Sequence, residues 1–295
     1  MINKSLYSIF KQGSQTYFYS SLFFPSYLRK DVFVLYGFVR KADNFVDSIP
    51  QKVNGFYEFK EKYQSSMNGD KSNNFVIDEF VKLSKEKHFK PEWTESFLKS
   101  MEMDITKEKY HSIDETLEYI YGSAEVIGLY MSKIMNLSKE AEYYAKYLGR
   151  SMQYINFLRD INEDNQLGRT YFPIEDLEEY NLKNLEYEYV KKHQENFYLF
   201  IEKQLNRYCE WQSIAEEGFK LIPKRYLIPV KTASEMYNWT AEQIYKDPMI
   251  IYKVKVKPMI NKIFSKTLLN VIDPRKPMKR NIKCKRKPLP QIKYE

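Results

Sequence analysis

The chain has 295 residues, 43% apolar and 16% aromatic, with 26 Tyr and a net charge of +8. That length and composition support a large folded core and exclude a disordered or low-complexity chain. No run of 18 apolar residues occurs, so no membrane-spanning helix is expected, and two cysteines, Cys209 and Cys284, are too few for a disulfide framework, which fits a reducing cytoplasm.

Taken in chain order, residues 4–23 read as two short aromatic-rich helices split at Gly13-Ser14, with no apolar core of a signal peptide. After Pro25, a strong helix is predicted over 32–47 and ends at Ser48-Ile49-Pro50. Amphipathic segments follow at 56–66 and 73–85, then a helix over 91–104 that opens on Pro91. Residues 110–116 form a polar link. The segment 118–135 is small and apolar around Gly122-Ser123-Ala124, which suits either close helix packing or room for a long apolar ligand. A long helix over 138–163 ends at Leu167-Gly168-Arg169-Thr170, and Pro173 stops any continuation. Further helices are expected at 186–220, 224–245 and 258–271. No alternating strand pattern appears, so the prediction is an all-α chain: one helical domain over residues 1–273, then a tail over 274–295.

The charge is concentrated in that tail, where nine Lys and Arg face Glu295 alone, leaving residues 1–273 neutral. Four prolines in the same stretch predict poor order. Such a tail is a candidate for peripheral contact with anionic membrane. With a neutral body, no specific nucleic-acid partner is expected. His88, His111 and His193 sit in polar surroundings without metal-ligand spacing, which argues against zinc and against histidine acid–base chemistry.

Two aspartate pairs carry the chemistry. Asp43 and Asp47 are four residues apart, as are Asp160 and Asp164, so each pair shares one helix face. Around the first pair, Tyr36 and Arg40 extend the stripe; around the second, Gln153 and Asn156 do. Arg159 flanks the second stripe and Arg169 follows it. Carboxylates one turn apart repel each other and are stable in a fold only where a cation offsets them. Oxygen donors with nearby arginines suit Mg2+ held jointly with phosphate oxygens. The bland alternative is a pair of solvated faces with ordinary ion pairs, and two stripes of one design weaken it. The break at Gly13-Ser14-Gln15-Thr16-Tyr17 offers N–H and O–H groups to an anion, or simply caps a helix.

The segments SQTYFYSSLFFP, LYGFVRKADNFVD, MEMDITKEKY, YIYGSAEVIGLYM and LGRSMQYINFLRDINEDNQLGRTYFP, from Gly13 to Pro173, resemble the squalene/phytoene synthase family of head-to-head prenyltransferases. A weaker likeness ends in YKDPMIIYKVKVKP. The wording GSAEVIG leans toward phytoene synthases. The resemblance implies a single large helical bundle of the isoprenoid-synthase type with a central cavity. In it Asp43, Asp47, Asn156, Asp160 and Asp164 hold Mg2+, or Mn2+ in its place. Ser14, Thr16, Arg40, Arg159, Arg169, Tyr237 and Lys255 hold diphosphate. Tyr121, Arg40, Asp43 and Asp160 are the implied catalytic residues, with Gln153 and Tyr36 completing the polar stripes. Asn44 stands where many members have a second adjacent Asp.

The implied reaction joins two geranylgeranyl diphosphates through a cyclopropyl intermediate to phytoene, a step of carotenoid synthesis. A squalene or dehydrosqualene synthase acting on farnesyl diphosphate is the rival, with NADPH needed only for squalene. A head-to-tail elongating synthase fits less well, because Asp43-Asn44 lacks the adjacent acids it favours. A non-enzymatic rival is a helical adaptor that uses the basic tail at a membrane or on nucleic acid.

Overall fold

A computed structural model describes residues 3–284. The Gly13-Ser14 break separates helix α1 (Lys4–Gly13) from α2 (Gln15–Ser21). Ser14 caps α2 by accepting the Tyr17 N–H at 3.3 Å. Helix α3 (Ser26–Val46) begins earlier than the expected residue 32, because Pro25 supplies its rigid entry. Around α3 lie α4 (Val53–Met67), α5 (Phe75–Lys87) and α6 (Pro91–Thr106). Phe38 of α3 stacks on Phe80 of α5 at 3.9 Å, which fixes the centre of this half of the core.

The small, apolar segment 118–135 spans the end of α7 (Ile113–Ile120), a π-helical turn (Tyr121–Glu125) and α8 (Val126–Ile134). Its small residues let backbones meet. A Cβ on Gly128 would lie 2.2 Å from the Ala145 carbonyl oxygen, so α8 packs against the 28-residue α9 (Lys139–Gln166) closer than any side chain permits. Gly168, at φ +70°, takes the left-handed turn that ends α9.

The chain is not wholly helical. Strand β1 (Lys109–Tyr110), placed in a segment read as a polar link, pairs in parallel with β2 (Thr170–Pro173). This small ladder ties the end of α9 to the end of α6. Next come α10 (Ile174–Glu179), α11 (Tyr187–Val190), α12 (Gln194–Glu217), α13 (Lys224–Lys246) and α14 (Ile260–Ile272). The helix expected over 186–220 is thus two helices.

Apolar packing forms two clusters. One surrounds α3, α5 and α6; the other surrounds α9, α12, α13 and β2. The cavity lies where they meet.

Part of the basic tail departs from expectation. Residues 274–284 lie along α12 and α13 rather than leaving the body. Lys231 donates to the carbonyl oxygens of Pro274 (3.3 Å) and Lys276 (2.7 Å), Arg280 to that of Cys209 (3.1 Å). Ile282 is buried in the second cluster. Cys209 and Cys284, too few for a framework, are joined in one disulfide. The backbone acceptors that hold this segment are invisible in its Lys/Pro-rich composition. Residues 285–295 lie outside the described part of the chain.

Candidate active site

Helices α3 and α9 each place two acids at their C-terminal ends. Asp43 is in the last turn of α3 and Asp47 is its C-cap; Asp160 and Asp164 fall in the last two turns of α9. Neither helix has a basic residue in its last turn. Carboxylates at this end oppose the helix dipole, which favours cations there. The fold therefore concentrates negative charge where the backbone already provides it.

All four acids line one cavity of about 450 Å³. On α9 its wall runs from Asp164 through Asn156 and Gly149 to Ala141, roughly 35 Å of helix at 1.5 Å per residue. The acids, Gln153, Asn156 and Arg159 occupy one end. Toward the other, the wall is apolar: Met131, Met135, Leu137, Phe219 and Ile222. Ser123 and Ala124 also line it, so the small-residue segment both packs closely and opens the wall. A cavity charged at one end and apolar at the other matches a ligand with an anionic head and a long hydrocarbon chain.

The two acidic ends differ. Arg159 grips Asp160 bidentately, Nε to Oδ1 at 2.7 Å and Nη2 to Oδ2 at 2.6 Å, and Lys255 pairs with Asp160 and with Glu163. Burial would push the Asp160 carboxyl up, but Arg159 and then Lys255 outweigh it and hold it below the usual range. Asp164 has no such partner: burial, Asp160 and Asp47 together push it well above. On α3, Arg40 pairs with Asp43. Even so, desolvation and the neighbouring Asp47 push Asp43 up to about 7. Asp47 accepts from Arg169 at 3.1 Å.

The donor set fits a hard divalent cation. It is all oxygen, and its carboxylates crowd without sufficient countercharge. The Asn156 Oδ1, on the cavity wall between Asp160 and Gln153, is buried with no hydrogen-bond partner. Among the described residues no three acidic, histidine or cysteine side chains enclose an ion by themselves. An ion there would share its coordination with ligand oxygens, as Mg2+ does at phosphate sites.

Most of the residues marked in the sequence converge on the cavity: Ser14, Thr16, Tyr36, Arg40, Gln153, Asn156, Arg159 and Tyr237, with the four aspartates. Three do not. Tyr121 is absent from the cavity wall; its hydroxyl feels Glu125 and Glu92 instead, because the π-helical turn presents Ser123 and Ala124 inward. Arg169 is buried behind the wall, and its guanidinium is consumed by Asp47, the Val46 carbonyl (2.5 Å) and Tyr171 (3.3 Å). It positions the end of α3 and is not free for diphosphate. Lys255 is engaged with Asp160 and Glu163, while Lys257, two residues on, lines the cavity. Burial and then Arg159 and Lys255 push the Lys257 amine down.

Sequence reasoning missed Asp104, which sits beneath the acidic end and accepts from Tyr119 (2.8 Å) and Tyr171 (2.7 Å). Burial pushes it up to about 7 against Arg169. It lies inside the MEMDITKEKY segment, so the stretch was marked but the residue was not. Tyr17 was marked only as the end of the Gly13-to-Tyr17 break. It lines the cavity beside Tyr237, with ring centroids 5.6 Å apart.

Comparison with known proteins places this geometry. The sequence profile of the squalene/phytoene synthase family matches residues 10–259. The chain is 25% identical to the 15-cis-phytoene synthase of Pantoea ananas over 77% of each chain. It is 23% identical to the phytoene synthase of Arthrospira platensis over 82% of this chain and 83% of that one. A 15-cis-phytoene synthase of a Paracoccus strain is 26% identical over 55% of this chain, and the match spans 57% of that relative. Among solved structures, a dehydrosqualene synthase in complex with ligand superposes with a TM-score of 0.72 at 19% identity, over 90% of this chain and 94% of that one. A squalene synthase from Alicyclobacillus acidocaldarius gives 0.70 at 18% identity, over 82% and 92%. The helical fold is shared with them, as the sequence implied.

Proposed function

The chain belongs to the squalene/phytoene synthase family, and we propose that it is a prenyltransferase joining two allylic prenyl diphosphates head to head, two geranylgeranyl diphosphates giving phytoene. One observation carries this reading: two opposed acidic helix ends, each with an arginine, close one end of a single apolar cavity.

The acids Asp43, Asp47, Asp160 and Asp164, with the free Oδ1 of Asn156, would hold Mg2+ against the diphosphates. Bound there, the metal supplies Lewis-acid stabilisation of the leaving diphosphate. The chain's own cations act beside it. Arg40, Arg159 and Lys257 line the same end and offer N–H donors to phosphate oxygens. Ser14 and Thr16 stand on the adjoining wall, at the start of α2. As the C–O bond of one substrate breaks, its diphosphate leaves and an allylic cation forms. The double bond of the second substrate attacks it; a proton is lost and a cyclopropyl diphosphate results. A second ionisation releases the second diphosphate, and the rearranged cation loses a proton to give phytoene. The rings of Tyr17, Tyr36, Phe157 and Tyr237 line the reacting end, where their faces stabilise positive charge and their bulk excludes water that would quench it.

The phytoene assignment follows the curated relatives at 23–26% identity. Its test is incubation of the full chain with Mg2+ and either geranylgeranyl or farnesyl diphosphate, with and without NADPH, followed by mass spectrometry. Phytoene from geranylgeranyl diphosphate without NADPH is the expected product. A squalene-type hydrocarbon from farnesyl diphosphate alone would transfer the assignment to the rival. No hydrocarbon from either, with the fold intact, would overturn it.

A further inference from the structure

Helix α14 is mounted with its apolar face outward. The residues it turns to the body are Ile263, Thr267 and Asn270. Two of the three are polar, and Asn270 donates to Thr232 (3.1 Å) and Glu235 (2.9 Å) of α13. At four-residue steps an adjoining face carries Ile260, Phe264, Leu268 and Ile272, all exposed; Leu268 is 63% and Ile272 76% exposed. Eight of the fifteen exposed large apolar side chains among the described residues fall between 254 and 272. A contiguous apolar patch of this kind marks a contact surface rather than an ordinary solvent face.

Charge selects the partner. Residues 253–295 hold fourteen Lys and Arg against Asp273 and Glu295; Lys253, Lys255, Lys266 and Arg280 pair with acids of the body, and the others keep the segment positive. Helix α14 itself has no acidic residue; of its two lysines, Lys262 lies over the Trp239 ring and Lys266 pairs with Glu235, both on α13. A second copy docking through the same face would set this positive charge against itself, since a two-fold interface is self-facing. An apolar stripe on a segment of net positive charge is instead the pattern of a helix lying in the headgroup region of an anionic bilayer. The location agrees. Lys257 and Pro258, just before α14, line the cavity. Phe264 also packs on Tyr19 and Phe23 at 5.8 and 6.0 Å, next to the α2 residues that form its wall.

We propose that the outward stripe of α14 inserts into an anionic lipid surface, with the basic C-terminal segment supplying the electrostatic attraction. The surface contact stands on its own. Its use, to pass lipid-like substrate and product between bilayer and cavity, rests on the prenyl diphosphate reading above.

The test is flotation of the full chain with vesicles of phosphatidylcholine alone, or mixed with phosphatidylglycerol. Wild type is expected to float with the anionic vesicles. The double variant Leu268→Gln/Ile272→Gln changes only exposed side chains and should lower partitioning roughly tenfold or more, with turnover in detergent unchanged. Failure of wild type to float would overturn the proposal. So would a variant that floats as well as wild type, which would leave the tail's charge as the whole attraction. A wild-type dimer that the variant converts to monomer would assign the stripe to a second copy and overturn it as well. Loss of prenyl transfer in detergent would count against the enzyme reading and leave flotation untouched.

Discussion

The two acidic helix ends share one cavity but are electrostatically unlike. The α9 end holds a carboxylate already matched by Arg159 and Lys255 beside one, Asp164, that is not. At the α3 end, Arg40 and Arg169 serve Asp43 and Asp47 singly, and Asp43 still rises to about 7. The contrast separates acids that are positioned from acids that are left in want of charge. Asp160 is held in place by the chain's own cations; Asp164 and Asp43 are crowded by like charge, which is the environment that an added cation relieves. The two members of the second pair therefore have different work.

Substitutions can break this contrast. The largest effect is expected at Asp164. Asp164→Asn should lower kcat by about 10²–10³, the scale of losing one preorganised electrostatic group, yet raise the thermal midpoint by about 2 °C through relief of repulsion. Steady-state kinetics and a melting curve on one sample decide it; a stability loss would mean that Asp164 is already well compensated. Next is Arg159→Ala, which leaves Asp160 with Lys255 alone. It should destabilise by about 2 kcal/mol, below the cost of breaking a fully buried pair because both side chains are about one-fifth exposed. Arg40→Ala, at the more exposed α3 end, should cost clearly less in a denaturant titration. Third, Tyr171→Phe removes the hydrogen bonds to Asp104 and from Arg169 and should cost about 1–2 kcal/mol, with KM for the diphosphate rising more than kcat falls as Asp47 loosens. The smallest effect is at Asn44. It is exposed rather than turned into the cavity, so Asn44→Asp should change activity by less than about twofold. A large gain would show that the α3 end lacks an acid after all.

The stripes were legible because a four-residue period survives any error in helix ends: Tyr36, Arg40, Asp43 and Asp47 face one cavity although α3 begins at Ser26 instead of residue 32. Charge was legible at Arg169, but its burial was not, since that depends on the turn after α9 bringing its side chain to the Val46 carbonyl at the end of α3. Tyr121 was misplaced by the π-helical turn, which shifts the facing of every residue within it and leaves no mark in the apolar pattern. Asp104 could be recognised only once Tyr119 and Tyr171 were brought to it from two other elements. On α14 the spacing was plain, but its orientation was not: apolar periodicity marks a face to be covered, and here the body takes the polar one.

The account turns on both acidic ends acting on one ligand. Calorimetric titration of a non-ionising prenyl thiodiphosphate into wild type, Asp43→Asn and Asp164→Asn, each with Mg2+ and with chelator, tests this most directly. Wild type should bind only with Mg2+, and each variant should lose roughly tenfold or more in affinity. Undiminished binding in either variant, or equal binding in chelator, would contradict it.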